Sequence, residues 1–187
     1  MLNYQSPIKE KKEYSGLIVK EISPIMKLNL RGKNKDFLST IGKNINMLLP
    51  VEANTSSSSD LYTSMWLSPD EWMLVSNNAI DKENNNYAIA ELLFNKISKT
   101  KLGAVTDISD QFVLINLNGE KVFDLLSTGC PLNFNDFRNK KGAVAQTLLA
   151  HTDVIIHHKE INTVNLFVRR SFSEHLFSWI DDAASRL

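Results

Sequence analysis

Apolar and polar positions alternate at Met26, Leu28 and Leu30 against Lys27, Asn29 and Arg31, which puts one apolar row on a single strand face. The strand-like stretch runs from Leu17 to Arg31, and Gly32 closes it. The period then lengthens. Phe37, Leu38, Ile41, Ile45 and Leu48 recur at helical spacing, and Pro50 is expected to stop that helix. Asn54 to Asp60 contains a run of serines that can bury nothing and reads as a loop. Tyr62 to Leu67 and Glu71 to Val75 form two short strands around Ser68-Pro69-Asp70. Proline presets φ and Asp can bond nearby amides, so the pair is a predicted hairpin.

Asn77 to Asn86 is polar and reads as a loop. Ile89, Leu93 and Ile97, with Ala90 and Phe94, form the next helical stripe. Val105 to Leu117 reads as a strand with a bend at Asp107-Ile108-Ser109-Asp110, followed by a turn at Asn118-Gly119. Val122, Leu125 and Leu126 mark a short helix with Gly129 placed as its C-terminal cap. Val144 to His158 suggests two strands around Thr152-Asp153, and Thr163 to Arg169 supplies another. Ser171 and Glu174 have the spacing of a capping box ahead of a last helix lined by Leu176, Ile180, Ala183 and Leu187.

Strands followed by a helix, twice over and with hairpins between, do not supply the crossovers of a doubly wound sheet. The predicted class is α+β, with mixed, mostly antiparallel sheets and helices. Residues 1–16 are polar and lysine-rich and are expected to be a flexible N-terminal arm; residues 17–187 are expected to be a single domain.

Composition narrows the function. Lys plus Arg and Asp plus Glu each number 21 in 187 residues, a balance that argues against non-specific nucleic-acid binding or an anionic membrane surface. No apolar stretch approaches the roughly 20 residues that span a bilayer. The lysines near the start precede no secretory apolar run, so no signal peptide is expected and the expected compartment is cytoplasmic.

Candidate chemistry is sparse. Cys130 is the one cysteine; it follows a helix, where the dipole disfavours a thiolate, and reads as a packed turn residue. His157 and His158 are adjacent on a strand and point to opposite faces, and with His151 and His175 they match no metal-ligand spacing. Asp107 and Asp110 fit a strand bend that bonds its own amides better than an acid/base pair. The glycines form no phosphate-cradling pattern. No catalytic, cofactor-binding or metal residues are predicted. The feature that stands out is Trp66-Leu67-Ser68-Pro69-Asp70-Glu71-Trp72. Tryptophans packed about a turn serve a core or an interface, and Trp66, Pro69 and Trp72 are the candidate subunit-interface residues.

That segment resembles the W-L-G-P-D-E-W of sarcosine oxidase gamma subunits. Asp107-Ile108-Ser109-Asp110 resembles their D-V-S-D, Gly129-Cys130-Pro131-Leu132 their G-C-P-L, and Arg170-Ser171-Phe172 the R-S-F before their last helix, where Trp179 takes the place of a tryptophan. Order and spacing hold from about Leu17 to the C-terminus. Ser68 stands where a glycine is usual. The resemblance implies two intertwined α+β halves that exchange strands, as in the folate-binding domain of aminomethyltransferases. It implies a non-catalytic gamma subunit of a heterotetrameric complex that oxidatively demethylates sarcosine to glycine with release of hydrogen peroxide. FAD, FMN, NAD and tetrahydrofolate are then expected on the alpha and beta subunits, and a zinc on the delta subunit, with docking mainly against alpha. The alternative is a free-standing folate-binding or aminomethyltransferase-like module.

Overall fold

The computed structural model describes residues 5–8, 11–22, 24–79 and 87–187. The chain divides into two compact units, the described residues of Met1–Ser23 with Asp110–Leu187, and Pro24–Ser109.

The first unit is built on a six-stranded antiparallel sheet. Its strands are β1 (Lys12–Tyr14), β2 (Leu17–Glu21), β8 (Phe112–Asn118), β9 (Val144–Leu149), β10 (Thr152–Glu160) and β11 (Thr163–Arg169). The spatial order is β1-β2-β8-β11-β10-β9. One face carries Val19, Val113, Ile115, Leu117, Val154, Ile156, Val164, Leu166 and Val168, which alternate along their strands as the period of two requires. That face is covered by α3 (Val122–Ser127), α4 (Phe134–Phe137) and α5 (Ser173–Ala184), through Phe123, Leu126, Phe134, Phe137, Leu176 and Ile180. On the other face Asn116 and Asn165 are buried cross-strand partners, the amide of Asn116 donating to Oδ1 of Asn165 at 2.8 Å.

The second unit holds a five-stranded antiparallel sheet. Its strands are β3 (Lys27–Arg31), β4 (Ser56–Ser58), β5 (Tyr62–Ser68), β6 (Glu71–Ser76) and β7 (Ala104–Asp107), in the order β4-β5-β6-β3-β7. Leu28, Leu30, Trp72, Leu74 and Val105 face α1 (Lys35–Ile45) and the helix formed by α2 (Tyr87–Leu93) with its π-helical extension Phe94–Ser98. The contacts are made by Phe37, Ile41 and Ile45 from α1 and by Leu93 and Ile97 from the second helix. The expected α+β class holds in both units.

Several element boundaries differ from expectation, each for a local reason. Leu17 to Arg31 is two strands in different sheets, parted at Pro24, which has no N–H to give a ladder. Val105 to Leu117 divides likewise at the Asp107–Asp110 turn. α1 is capped at its start by Asn34, whose Oδ1 accepts from Phe37 N at 2.6 Å, but it ends at Asn46 rather than at Pro50. Asn46 adopts φ 51°, a left-handed cap, so Leu48 lies off the helix stripe and is 82% exposed. The serine run supplies the edge strand β4, which pairs with Thr63–Met65 and adds a side-chain hydrogen bond between Ser58 Oγ and Thr63 Oγ1 at 3.1 Å. The turn between β9 and β10 falls at Ala150-His151, both at positive φ, not at Thr152-Asp153. Ser171 does not cap α5. It lies in a 3₁₀ turn, Arg170–Phe172, and Ser173 Oγ donates to Arg170 O at 2.7 Å. Ala184, rather than Ala183, completes the buried stripe of α5. Within the span read as an arm, Lys12–Tyr14 forms the strand β1 and Ile8 is buried in the core. Tyr14 donates its hydroxyl to Asp181 of α5, and burial, then this carboxylate, push the phenol upward. The expected loop over Asn77 to Asn86 lies partly outside the described residues.

Candidate functional site

The hairpin of β5 and β6 sets Trp66 and Trp72 directly opposite one another. Opposed residues of an antiparallel pair share a face, so both indoles belong to the α1 side of the sheet. Their surroundings differ. Trp72 is 3% exposed, its ring lies 6.0 Å from that of Phe37, and its Nε1–H donates to Pro50 O at 2.7 Å. Trp72 is therefore a core residue, its ring face and its N–H both engaged inside the fold. Trp66 is half-buried and packs on the same cluster, and Pro69 is exposed at the tip.

The tip is held in place. Ser68 Oγ donates to Asp70 Oδ1 at 2.9 Å, and Gly32 N donates to Asp70 O at 3.0 Å. The Ser68 hydroxyl, with Lys33 and Arg31 nearby, holds the Asp70 carboxyl below the usual carboxylate range. The amide of Asn29 donates to Glu71 Oε1 at 2.6 Å. The serine in place of a glycine thus supplies a hydroxyl that tightens the turn.

The Asp107–Asp110 segment closes on itself. Asp107 Oδ1 accepts from the N–H of Ser109 at 2.9 Å and from its hydroxyl at 2.6 Å. Ser109 Oγ in turn accepts from Lys27 N at 3.0 Å, and the buried ammonium of Lys27 donates to Ser109 O at 2.9 Å and Ile25 O at 3.1 Å. Asp107 organises this turn. Asp110 points elsewhere and lines an open cleft of about 610 Å³ together with Gln111, Arg169, Arg170, Ser171 and Glu174. Residues of the D-I-S-D and R-S-F stretches, sixty positions apart, thus meet at one cleft. The sequence reading missed that site, and the co-occurrence of the two stretches was its one available signal.

His157 and His158 point to opposite faces of β10. His157 is buried, and that burial, ahead of the nearby Lys159 and His158, pushes its imidazole down to about 4. His158 sits among aromatic rings, 5.4 Å from Phe123 and 5.9 Å from Phe137. Its Nδ1 is 2.9 Å from Lys140 O; a carbonyl only accepts, so Nδ1 carries the proton. Its Nε2 is buried without a hydrogen-bond partner among the described residues. His151 occupies a turn, and His175 is exposed on α5. Cys130 is half-buried against the first unit's core, with Sγ 3.8 Å from Thr147 Oγ1. Among the described residues, no group of three His, Cys, Asp or Glu is placed to hold a metal ion, and no helix is long and apolar enough to cross a membrane.

A second open cleft, of about 380 Å³, lies in the first unit between Phe112, Gln146, Leu148, Asp153, Ile155 and Arg169. The Arg169 guanidinium lies over the Phe112 ring at 5.7 Å. The two clefts share Arg169.

The model of the family described as sarcosine oxidase, gamma subunit, matches residues 31–186. The sarcosine oxidase subunit gamma of Corynebacterium sp. (strain U-96) is 26% identical over 121 residues, which cover 65% of this chain and 55% of the relative, so the match spans about half of that relative's length. Among solved structures, a chain of the heterotetrameric sarcosine oxidase from Corynebacterium sp. U-96 aligns over 91% of this chain and 84% of its own, with TM-score 0.80 and 22% identity. The glycine cleavage system aminomethyltransferase T from Bartonella henselae aligns over 89% of this chain and 45% of its own, with TM-score 0.66 and 15% identity. Both likenesses concern the fold, and the second bears out the expected likeness of fold to an aminomethyltransferase.

Proposed function

The chain belongs to the sarcosine oxidase gamma subunit family, and from that membership we propose that it is the non-catalytic gamma subunit of a cytoplasmic heterotetrameric sarcosine oxidase. Its role is to present surfaces that hold the assembly together. The alpha, beta and delta subunits carry the oxidative demethylation of sarcosine, with FAD, FMN, NAD and tetrahydrofolate bound on them. Docking is mainly to alpha, and the tip of the β5–β6 hairpin, Trp66 and Pro69, is a contact site buttressed by Trp72.

The observation that carries this function is the family match over residues 31–186. The side chains that could have reacted support it by their engagement: Asp107 bonds Ser109, His158 is enclosed by phenylalanines, and Cys130 packs on the core. The test compares the purified chain with the assembled complex. Sarcosine-dependent hydrogen peroxide and flavin absorbance are expected from the complex and absent from the chain alone. Stoichiometric flavin on the chain, or tight binding of reduced folate to it, would replace this role with that of a free-standing folate-binding or aminomethyltransferase-like module.

A further inference from the structure

Among the described residues two sheets have four edges, and three of them are short or polar. β1 is three residues long and carries Lys12 and Glu13; β4 is three serines; β7 is four residues ending at Asp107. β9 is different. It runs for six residues, Val144-Ala145-Gln146-Thr147-Leu148-Leu149, with no charge, no proline and an unbroken register against β10. Among the described residues it has a strand neighbour on one side only. A long, uncharged edge is what natural sheets avoid leaving open, because its backbone groups template another strand.

The direction of that edge follows from hydrogen bonds at its two ends. His158 N donates to Ala143 O at 2.9 Å, so position 143 faces β10, and the alternation of an antiparallel ladder turns the N–H groups of Val144 and Leu148 outward. Ala150 has the same parity, and its N–H is taken on the outer side by Gly129 O at 3.0 Å. The Gly129-Cys130-Pro131 loop thus closes one end of the edge and leaves Val144–Leu149 beyond it.

Beside the edge lies the 380 Å³ cleft, with Gln146 and Leu148 on its near side and Leu148 42% exposed. A strand added to β9 would run about 4.8 Å away, and alternate side chains would stand beside Gln146 and Leu148 at the cleft. Strand addition draws affinity from main-chain bonds and specificity from such pockets. We propose that the outer edge of β9 accepts an extended, uncharged segment of a partner subunit, one of whose apolar side chains packs at the Leu148 cleft. The proposal rests on the subunit role given above. A second copy is a poorer occupant: six residues give an edge roughly 20 Å long, a strip far below the roughly 800 Å² per partner of a stable interface. In a hetero-complex the strand is one part of a larger contact.

The test is amide hydrogen exchange over Val144–Leu149 in the chain alone and in the complex purified after co-expression with the other subunits. Exchange in the complex is expected to slow at least tenfold at the outward amides. Leu148→Pro removes an outward N–H and spares the ladder to β10, so it should cut recovery of the complex about tenfold. Leu148→Lys, which keeps the backbone intact, should do the same and serves where the proline variant unfolds. Unchanged exchange in a complex that does form, or normal assembly of Leu148→Lys, overturns the strand addition and leaves the subunit role standing. Protection that appears in the chain alone, with a dimer mass, overturns it in favour of self-pairing. Failure of the unaltered chain to assemble overturns the subunit role, and the strand addition with it.

Discussion

A Cβ placed on Gly129 would lie 2.4 Å from Cζ2 of Trp179. The loop that follows α3 and the indole on α5 therefore meet with room for a hydrogen and nothing larger. Gly129 does not serve as a left-handed helix cap: Thr128 takes the C-cap position, and Cys130 N returns to Leu126 O at 3.0 Å. Gly129→Ala should cost roughly 1–3 kcal/mol, as overpacking does, read as a lower urea midpoint at unchanged slope. Trp179→Leu on the same background should restore part of the loss. Additive effects in that double-mutant cycle would show that the two residues do not share the space.

The two hairpin tryptophans should separate by measurement. Trp72→Phe leaves Pro50 O without its indole donor, with an expected loss of about 1–3 kcal/mol, and Trp72→Ala should cost about 3–5 kcal/mol. Trp66→Ala should cost less than either in unfolding by urea, yet lower recovery of the complex. Equal stability losses at the two positions would mean that Trp66 is also a core residue.

His157 predicts an acid-sensitive fold. Burial holds its imidazole down to about 4, against about 6.5 when unfolded, so the unfolded chain binds the extra proton first. Its contribution is fully present above about pH 6.5 and is lost as pH falls toward 4, on the order of 3 kcal/mol in all. His157→Gln should flatten the stability profile between those values. An equally steep profile in that variant would locate the sensitivity elsewhere.

The Asp107–Ser109–Lys27 turn joins β3 to β7 by side-chain as well as ladder bonds. Ser109→Ala strips a hydroxyl that donates to Asp107 and accepts from Lys27 N. A loss of about 1–3 kcal/mol is expected in chemical denaturation. A change within a few tenths of a kcal/mol would mean that water replaces the hydroxyl and that the turn is held by its backbone.

Much of this fold is legible in the residue pattern, because burying one face of a strand or helix imposes a period. The rows Leu28–Leu30 and Val164–Val168, the hairpin about Pro69 and the stripe Leu176–Ile180 follow from it directly. Pattern says nothing about which sheet a strand joins, so the bend at Asp107–Asp110 was visible but the change of sheet there, and the parting at Pro24, were not. Ala150 and His151 adopt positive φ without the Gly or Asn that announces such a turn, because the β9–β10 ladder fixes both ends. Backbone pairing recruits Ser56–Ser58 without any apolar side chain, helped by the Ser58–Thr63 hydroxyl contact. Of the candidate site, the Trp66–Trp72 segment stood out by composition, but whether each indole is inside or outside depends on Phe37 and Pro50, which are distant in sequence. The Asp110–Arg170 cleft is assembled from parts too far apart for any local rule.

Native mass of the tagged chain, purified after co-expression with sarcosine oxidase alpha, beta and delta subunits, reaches the centre of this account. One copy of each subunit in a single flavin-bearing particle is the predicted result. Recovery of the chain by itself at its own mass of 21.2 kDa, with the other three assembled and active without it, would contradict the account.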